Sequence, residues 1–113
     1  MTIARGDVLH IDLDPTVGSE LKKARPCVVV QRDSANQTSP IVIVCPFTDA
    51  AGRPGNALNI LVPRGIAGAT KDSLVRCNQI RAVDRARIAK HLGALPPALM
   101  HRVDAGLRLI LDL

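Results

Sequence analysis

Arg25 opens the run "RPCVVVQ", and Thr48 closes the run "IVIVCPFT". A guanidinium is permanently charged and presents five donors in a planar fork; a threonine hydroxyl both donates and accepts. Guanidinium forks match phosphate oxygens bidentately. A cation at the start of an apolar stretch is either a solvated end charge or a group aimed at a fixed point. Pro26 bears on that choice, because its ring fixes φ and confines Arg25 to extended backbone. Thr48 is either a hydroxyl capping a strand end or a partner for Arg25. The two would meet if their strands were antiparallel neighbours, the start of one beside the end of the other.

Other chemistries find less support. Histidine is the usual general acid or base. His10 alternates with the apolar residues of its segment and faces either solvent or a cleft. His91 and His101 lie near the C-terminus, away from any nucleophile at motif spacing. There is no glycine-rich phosphate loop of the P-loop type and no HExxH. Asp12 and Asp14 are too few to hold a metal alone, and loop aspartates commonly close Asx turns. No metal or other cofactor is expected.

The elements that must position these residues follow from the hydrophobic pattern. "DVLHIDL", residues 7–13, alternates with Leu9, Ile11 and Leu13 on one face, the mark of a half-buried strand. "DPTVGSELKKA" reads as a long loop. "RPCVVVQ" is a second strand, with Pro26 placing its beginning at a strand start or sheet edge. "RDSANQTSP" reads as a polar loop. "IVIVCPF", residues 41–47, is a continuous apolar strand covered on both faces. "LNILV" is a further strand, "PRGIAGATKD" is irregular, "SLVRCNQIRAV" is one bent strand or two short ones, and "RIAKHLG" is a last strand. In "LPPALMHRVDAGLRLILDL" the period changes. Leu99, Val103, Leu107 and Ile110 form a helical stripe that Met100 and Leu111 widen, and Pro96 and Pro97 suit its first turn. Gly106 within it costs about 1 kcal/mol relative to Ala, which points to close packing. The expected architecture is mainly β: one small antiparallel barrel over residues 1–113 with a C-terminal helix packed on it.

Composition narrows the partners. At 113 residues the chain suits one domain with one core. The net charge is +5, and 11 of the 15 basic residues are arginine, which favours an anionic partner. Phe47 is the only aromatic residue. Single-strand binders that stack bases use several rings, so if this chain holds RNA or DNA it must do so with charge, backbone groups and hydrogen bonds. Cys27, Cys45 and Cys77 are odd in number and lie in or beside apolar runs. They read as buried thiols of a cytoplasmic protein rather than a disulfide or zinc framework. The N-terminus lacks the apolar core of a signal peptide. No segment reaches the ~20 apolar residues of a membrane span.

Four stretches in order, "RGDVLHIDLDPTVGSE", "ARPCVVVQRD", "IVIVCPFT" and "KDSLVRCNQIRAVD", resemble the MazF/PemK family of toxin endoribonucleases nearly end to end. The resemblance implies an SH3-like barrel with a C-terminal helix, the CcdB/Kid-type toxin fold, assembled as a homodimer. It implies metal-independent, sequence-selective cleavage of single-stranded RNA and an antitoxin partner with an acidic segment. By the same resemblance the catalytic residues are Arg25 and Thr48, the loop over the substrate carries Ser19 and Glu20, and Gln79 and Arg81 line the RNA groove. Lys22 and Lys23 are either solvated or attract the RNA backbone. Val17 stands where family members often carry an aromatic residue. The competing reading is a non-catalytic SH3-like binding module or a gyrase-poisoning toxin of the same fold, since fold alone does not fix function.

Overall fold

The computed structural model describes residues 1–113. Seven strands are laid down in the order β1 (Asp7–Asp12), β2 (Ala24–Val29), β3 (Ile41–Asp49), β4 (Asn59–Val62), β5 (Ser73–Arg76), β6 (Arg81–Asp84) and β7 (Ile88–Ala94). A short helix α1 (Asp33–Thr38) joins β2 to β3, and α2 (Pro97–Leu111) ends the chain. No helix is long and apolar enough to cross a membrane.

All pairings are antiparallel, in the spatial order β4-β5-β3-β2-β1-β7, with β6 also on β3. β3 is the spine: its first half pairs with β6 and its last three residues with β5. The segment read as one bent strand or two is two, β5 and β6, separated by a 3₁₀ turn at Cys77–Gln79. The hydrogen-bonded path does not close, so the barrel has a seam between β4 and β7. The 63–72 loop fills it, crossing to β7 so closely that a Cβ on Gly93 would stand 3.0 Å from the Ala67 backbone.

The sheet is apolar on both faces, and each face has its own cover. On one side Val8, Val28, Cys45, Phe47, Ile60 and Val75 pack beneath α2 residues Met100, Val103 and Leu107. Burying a ring such as Phe47, 2% exposed, contributes about 2–3 kcal/mol. On the other side Leu9, Ile11, Cys27, Val29, Val42, Val44 and Val83 are joined by Leu13 and by Leu21 of the 13–23 loop. The period of two thus sorts each strand into an α2 face and a loop face.

α2 begins at Pro97, with Pro96 as its N-cap. At Gly106 an added Cβ would meet Cys77 Sγ at 2.8 Å and the Ala57 carbonyl at 2.9 Å, which is the close approach the sequence implied. The stripe is buried at Met100, Val103 and Leu107, but Ile110 and Leu111 are 41% and 47% exposed, with Leu109 and Leu113 open beside them.

α1 is a correction, since its segment reads as loop. Its anchor is not apolar. Asn36, 1% exposed, donates through Nδ2 to the Gln31 carbonyl and to Asp33 Oδ1, while the Arg85 guanidinium donates to its carbonyl. A buried, satisfied amide replaces the hydrophobic contact that periodicity would detect.

Candidate active site

The β2–β3 ladder pairs Val29 with Val44, Val28 with Cys45 and Cys27 with Pro46. Continued for two residues, that register sets Arg25 opposite Thr48. The ladder stops first, at Pro26, which has no N–H to offer. β2 stays anchored on its other side, where Pro26 faces His10 and Arg25 faces Ile11 of β1. β2 and β3 therefore part at a fixed point, and the Arg25 guanidinium bridges the gap. Its Nη1 donates to the Phe47 carbonyl at 2.8 Å and its Nε to the Lys22 carbonyl at 2.9 Å. Main-chain oxygens hold two of its N–H groups, and the rest of the fork has no protein acceptor.

Arg25 and Thr48 are both half-buried and line one cleft of about 230 Å³ with Asp49, Thr70, Lys71 and Ser73. Asp49 Oδ1 accepts from the Ala51 amide at 2.9 Å, and Oδ2 lies 3.4 Å from Lys71 Nζ. The Ala51 hydrogen bond, and then the Lys71 charge, hold the Asp49 carboxyl below its ordinary range. Asp49 is thus a carboxylate already committed, and a weak proton acceptor. Two cations against one anion leave the cleft positive and sized for a phosphate.

The 13–23 loop packs Leu13 and Leu21 on the sheet face that carries Leu9, Ile11 and Cys27. Its neck closes where the Leu13 amide donates to the Lys23 carbonyl at 3.0 Å. Gln79 Oε1 accepts from the Leu21 amide at 3.3 Å, and Gln79 Nε2 donates to the Ser19 carbonyl at 3.5 Å. Arg81 Nη1 donates to the Leu13 carbonyl at 3.2 Å. Glu20 Oε1 accepts from the Val17 amide at 3.1 Å. Ser19, Glu20 and Lys22 keep exposed side chains, as does Val17 at the loop tip. Gln79 and Arg81, read as groove residues, hold the 13–23 loop in place, but neither they nor Ser19, Glu20 and Lys22 line the cleft of Arg25 and Thr48.

The histidines lie elsewhere. His10 does not line the cleft, His91 Nε2 faces Asp7 Oδ2 at 3.4 Å on β7, and His101 is exposed on α2. The thiols are all buried. Burial pushes Cys27 up to about 12 despite the Arg25 and Arg81 charges, and Cys77 to about 11, while Cys45 is pushed up too. None is a nucleophile; Cys27, whose Sγ donates to the Arg25 carbonyl, supports β2 from beneath.

The sequence pattern did not single out Asp49, Lys71 or Arg76. Lys71 reaches the cleft from a glycine-rich loop with no period to follow. Arg76 shares the parity of Leu74 in "SLVR", but only the pairing of Leu74 with Thr48 relates it to the site.

The molecule is thus a half-open antiparallel barrel that carries a fixed guanidinium and a hydroxyl in one positive cleft. The chain belongs to the PemK-like, MazF-like toxin family of type II toxin–antitoxin systems, whose model matches residues 4–111. It is 34% identical over 113 residues to endoribonuclease EndoA of Bacillus subtilis, covering all of this chain and 97% of that one. It is 36% identical over 111 residues to endoribonuclease MazF of Staphylococcus epidermidis, covering 98% and 92%. Its fold matches MazF of Deinococcus radiodurans with a TM-score of 0.85 at 21% identity, covering 100% and 99% of the two chains. It also matches a mycobacterial endoribonuclease solved with its cognate antitoxin, at 0.79 and 20% identity over 98% and 96%.

Proposed function

We propose that this chain, a single toxin domain, cleaves single-stranded RNA in the cytoplasm, sequence-selectively and without a metal, as the toxin of a type II toxin–antitoxin pair. The convergence of Arg25 and Thr48 on one phosphate-sized cleft carries the reading. Its relatives are named endoribonucleases, which supports the same conclusion.

RNA holds its own nucleophile. The ribose 2′-OH attacks the adjacent phosphorus, the P–O5′ bond breaks, and the strands separate with a 2′,3′-cyclic phosphate and a 5′-OH. The O2′ proton passes to water, and O5′ takes a proton from water as it leaves. The protein must align ribose and phosphate and stabilise the charge growing on the phosphoryl oxygens. Arg25 suits the second role, because its free N–H groups face the cleft and its anchors spare it reorganisation during the reaction. The Thr48 hydroxyl hydrogen-bonds the scissile phosphate. Ser19, Glu20 and Lys22 meet the flanking nucleotides, on a loop that Gln79 and Arg81 hold in place. DNA, which lacks the 2′-OH, survives.

Two partners complete the reading. Leu109, Ile110, Leu111 and Leu113 form an exposed apolar end to α2 that suits a second copy of the chain, giving a homodimer. An antitoxin with an acidic segment that folds on binding covers the basic groove.

The test is incubation of a long unstructured RNA with the purified protein in EDTA. Discrete fragments with 2′,3′-cyclic ends are expected, and an Arg25→Ala variant with an unchanged melting temperature should give none. Intact RNA that is nonetheless retained by the protein would instead support a binding module.

A further inference from the structure

Five arginines are half-buried: Arg25, Arg76, Arg81, Arg85 and Arg87. Four donate to main-chain carbonyls, Arg25 to Phe47 and Lys22, Arg81 to Leu13, Arg85 to Ser39 and Asn36, and Arg87 to Asp12 and Asp14. Arg76 donates to nothing. It has no carboxylate within salt-bridge distance, and its Nε is buried without a partner. A guanidinium drawn partly out of water and given no acceptor is unfavourable unless a ligand supplies one.

Its position says which ligand. Arg76 lines a hollow of about 300 Å³ between the 53–56 turn and the β4–β5 pair, with Arg53, Asn56, Asn59 and Leu74. The floor is fixed. Asn56 Oδ1 accepts from the amides of Leu58 and Asn59 and from Asn59 Nδ2, each at 3.0 Å. Arg53 is tied to the carbonyls of Ala50 and Asp49, so a second cation is held beside the first. No acidic side chain lines the hollow. Asn59 Oδ1 is likewise buried without a partner, so the site takes an anion with a hydrogen-bond donor beside it, as a phosphodiester next to a sugar hydroxyl or base N–H provides.

The register connects this hollow to the cleft. Thr48 faces Leu74, and Arg76 stands two residues along β5 on the same face. One strand across and two residues along is about 8 Å, the scale of one nucleotide. Resting on the RNA-cleavage reading, we propose that Arg76 binds the backbone phosphate of the substrate next to the scissile one, so that Arg25 and Arg76 grip consecutive linkages.

The test uses an RNA oligonucleotide made uncleavable by 2′-O-methylation and carrying a neutral methylphosphonate at each linkage in turn. Wild-type protein should lose about tenfold in affinity when the linkage beside the scissile one is neutral. Arg76→Gln should show no such loss there while responding as wild type elsewhere. In Arg76→Gln the slope of log affinity against log salt should shrink by about 0.7, the value for one phosphate of a single strand. Arg76→Lys should keep most of that slope. An Arg76→Gln protein as sensitive as wild type at every linkage would overturn the proposal while leaving the nuclease reading intact. A wild-type protein that neither binds nor cuts the unmodified RNA would remove both. Weakened binding of an acidic peptide by Arg76→Gln, with RNA binding unchanged, would reassign the hollow to a carboxylate partner and overturn the proposal. The methylphosphonate scan on wild-type protein needs no variant, so a folding defect cannot mask the result.

Discussion

The Arg25 guanidinium is bound to the carbonyl of Phe47, the residue immediately before Thr48, at 2.8 Å. The two groups expected to act on one phosphate are thus joined through the backbone of β3, and any shift of that strand end moves both. Their geometry is set by a broken ladder rather than by a motif of adjacent residues.

That coupling predicts how Thr48 behaves on substitution. Thr48→Val keeps the shape and β-branching but removes the hydroxyl, and the rate of cleavage should fall about 10²–10³-fold. Thr48→Ser should retain most activity. Single-turnover cleavage of a short RNA, with binding followed separately, measures both. A Thr48→Val enzyme within a factor of two or three of wild type would remove the hydroxyl from the mechanism.

Gln79 should act through the loop. Gln79→Ala frees the Leu21 amide and the Ser19 carbonyl. KM for RNA should rise several-fold with kcat little changed, and hydrogen exchange at Leu21 should accelerate. Equal loss in kcat and kcat/KM would show instead that Gln79 contacts the transition state.

Gly106→Ala opposes two effects. Alanine is favoured in a helix by about 1 kcal/mol. Its Cβ, however, would press on Cys77 Sγ and the Ala57 carbonyl at under 3 Å. Overpacking costs about 1–3 kcal/mol, so the net expectation is a lower melting temperature. The Cys77→Ala/Gly106→Ala pair should be less destabilised than the sum of its single changes, because the shared contact is gone.

Stability should also depend on pH at both ends. The Arg5 amide and then the Asn36 side chain hold Asp33 below its ordinary value of 3.8. Its contribution is complete above that value and is lost as pH falls through the lower folded one. Cys27 behaves in the opposite sense. It ionises near 9.0 when unfolded and near 12 when folded, so the unfolded chain sheds its proton first and stability declines as pH rises between those values. Urea unfolding across that range should show the decline, and Cys27→Ala should make it shallower without abolishing it, because Cys45 and Cys77 are raised by burial as well. At neutral pH the three buried thiols should resist alkylation until the protein unfolds.

The exposed end of α2 makes the last prediction. Leu111→Glu should turn a dimer into a monomer in sedimentation at micromolar concentration, without lowering helix content. A wild-type chain that is already monomeric would show that this apolar surface serves another partner.

Much of this arrangement was legible in the residues. Alternation in "DVLHIDL" foretold the burial of Leu9, Ile11 and Leu13, the double proline marked the start of α2, and Pro26 marked the place where pairing fails. Three things were not legible. α1 is held by the polar hub at Asn36, which leaves no hydrophobic period. The open seam depends on where the 63–72 loop crosses β7, a contact set by glycines rather than by side-chain pattern. Asp49 and Lys71 enter the cleft through loop geometry, which spacing does not encode.

Because the oxygens that hold Arg25 belong to the main chain at Phe47 and Lys22, they persist whatever side chains stand at those positions. Side chains at those two positions can therefore be changed while the charge itself stays in place. On the proposed reading, the charge that acts on the phosphate and the side chains that select the RNA can change independently.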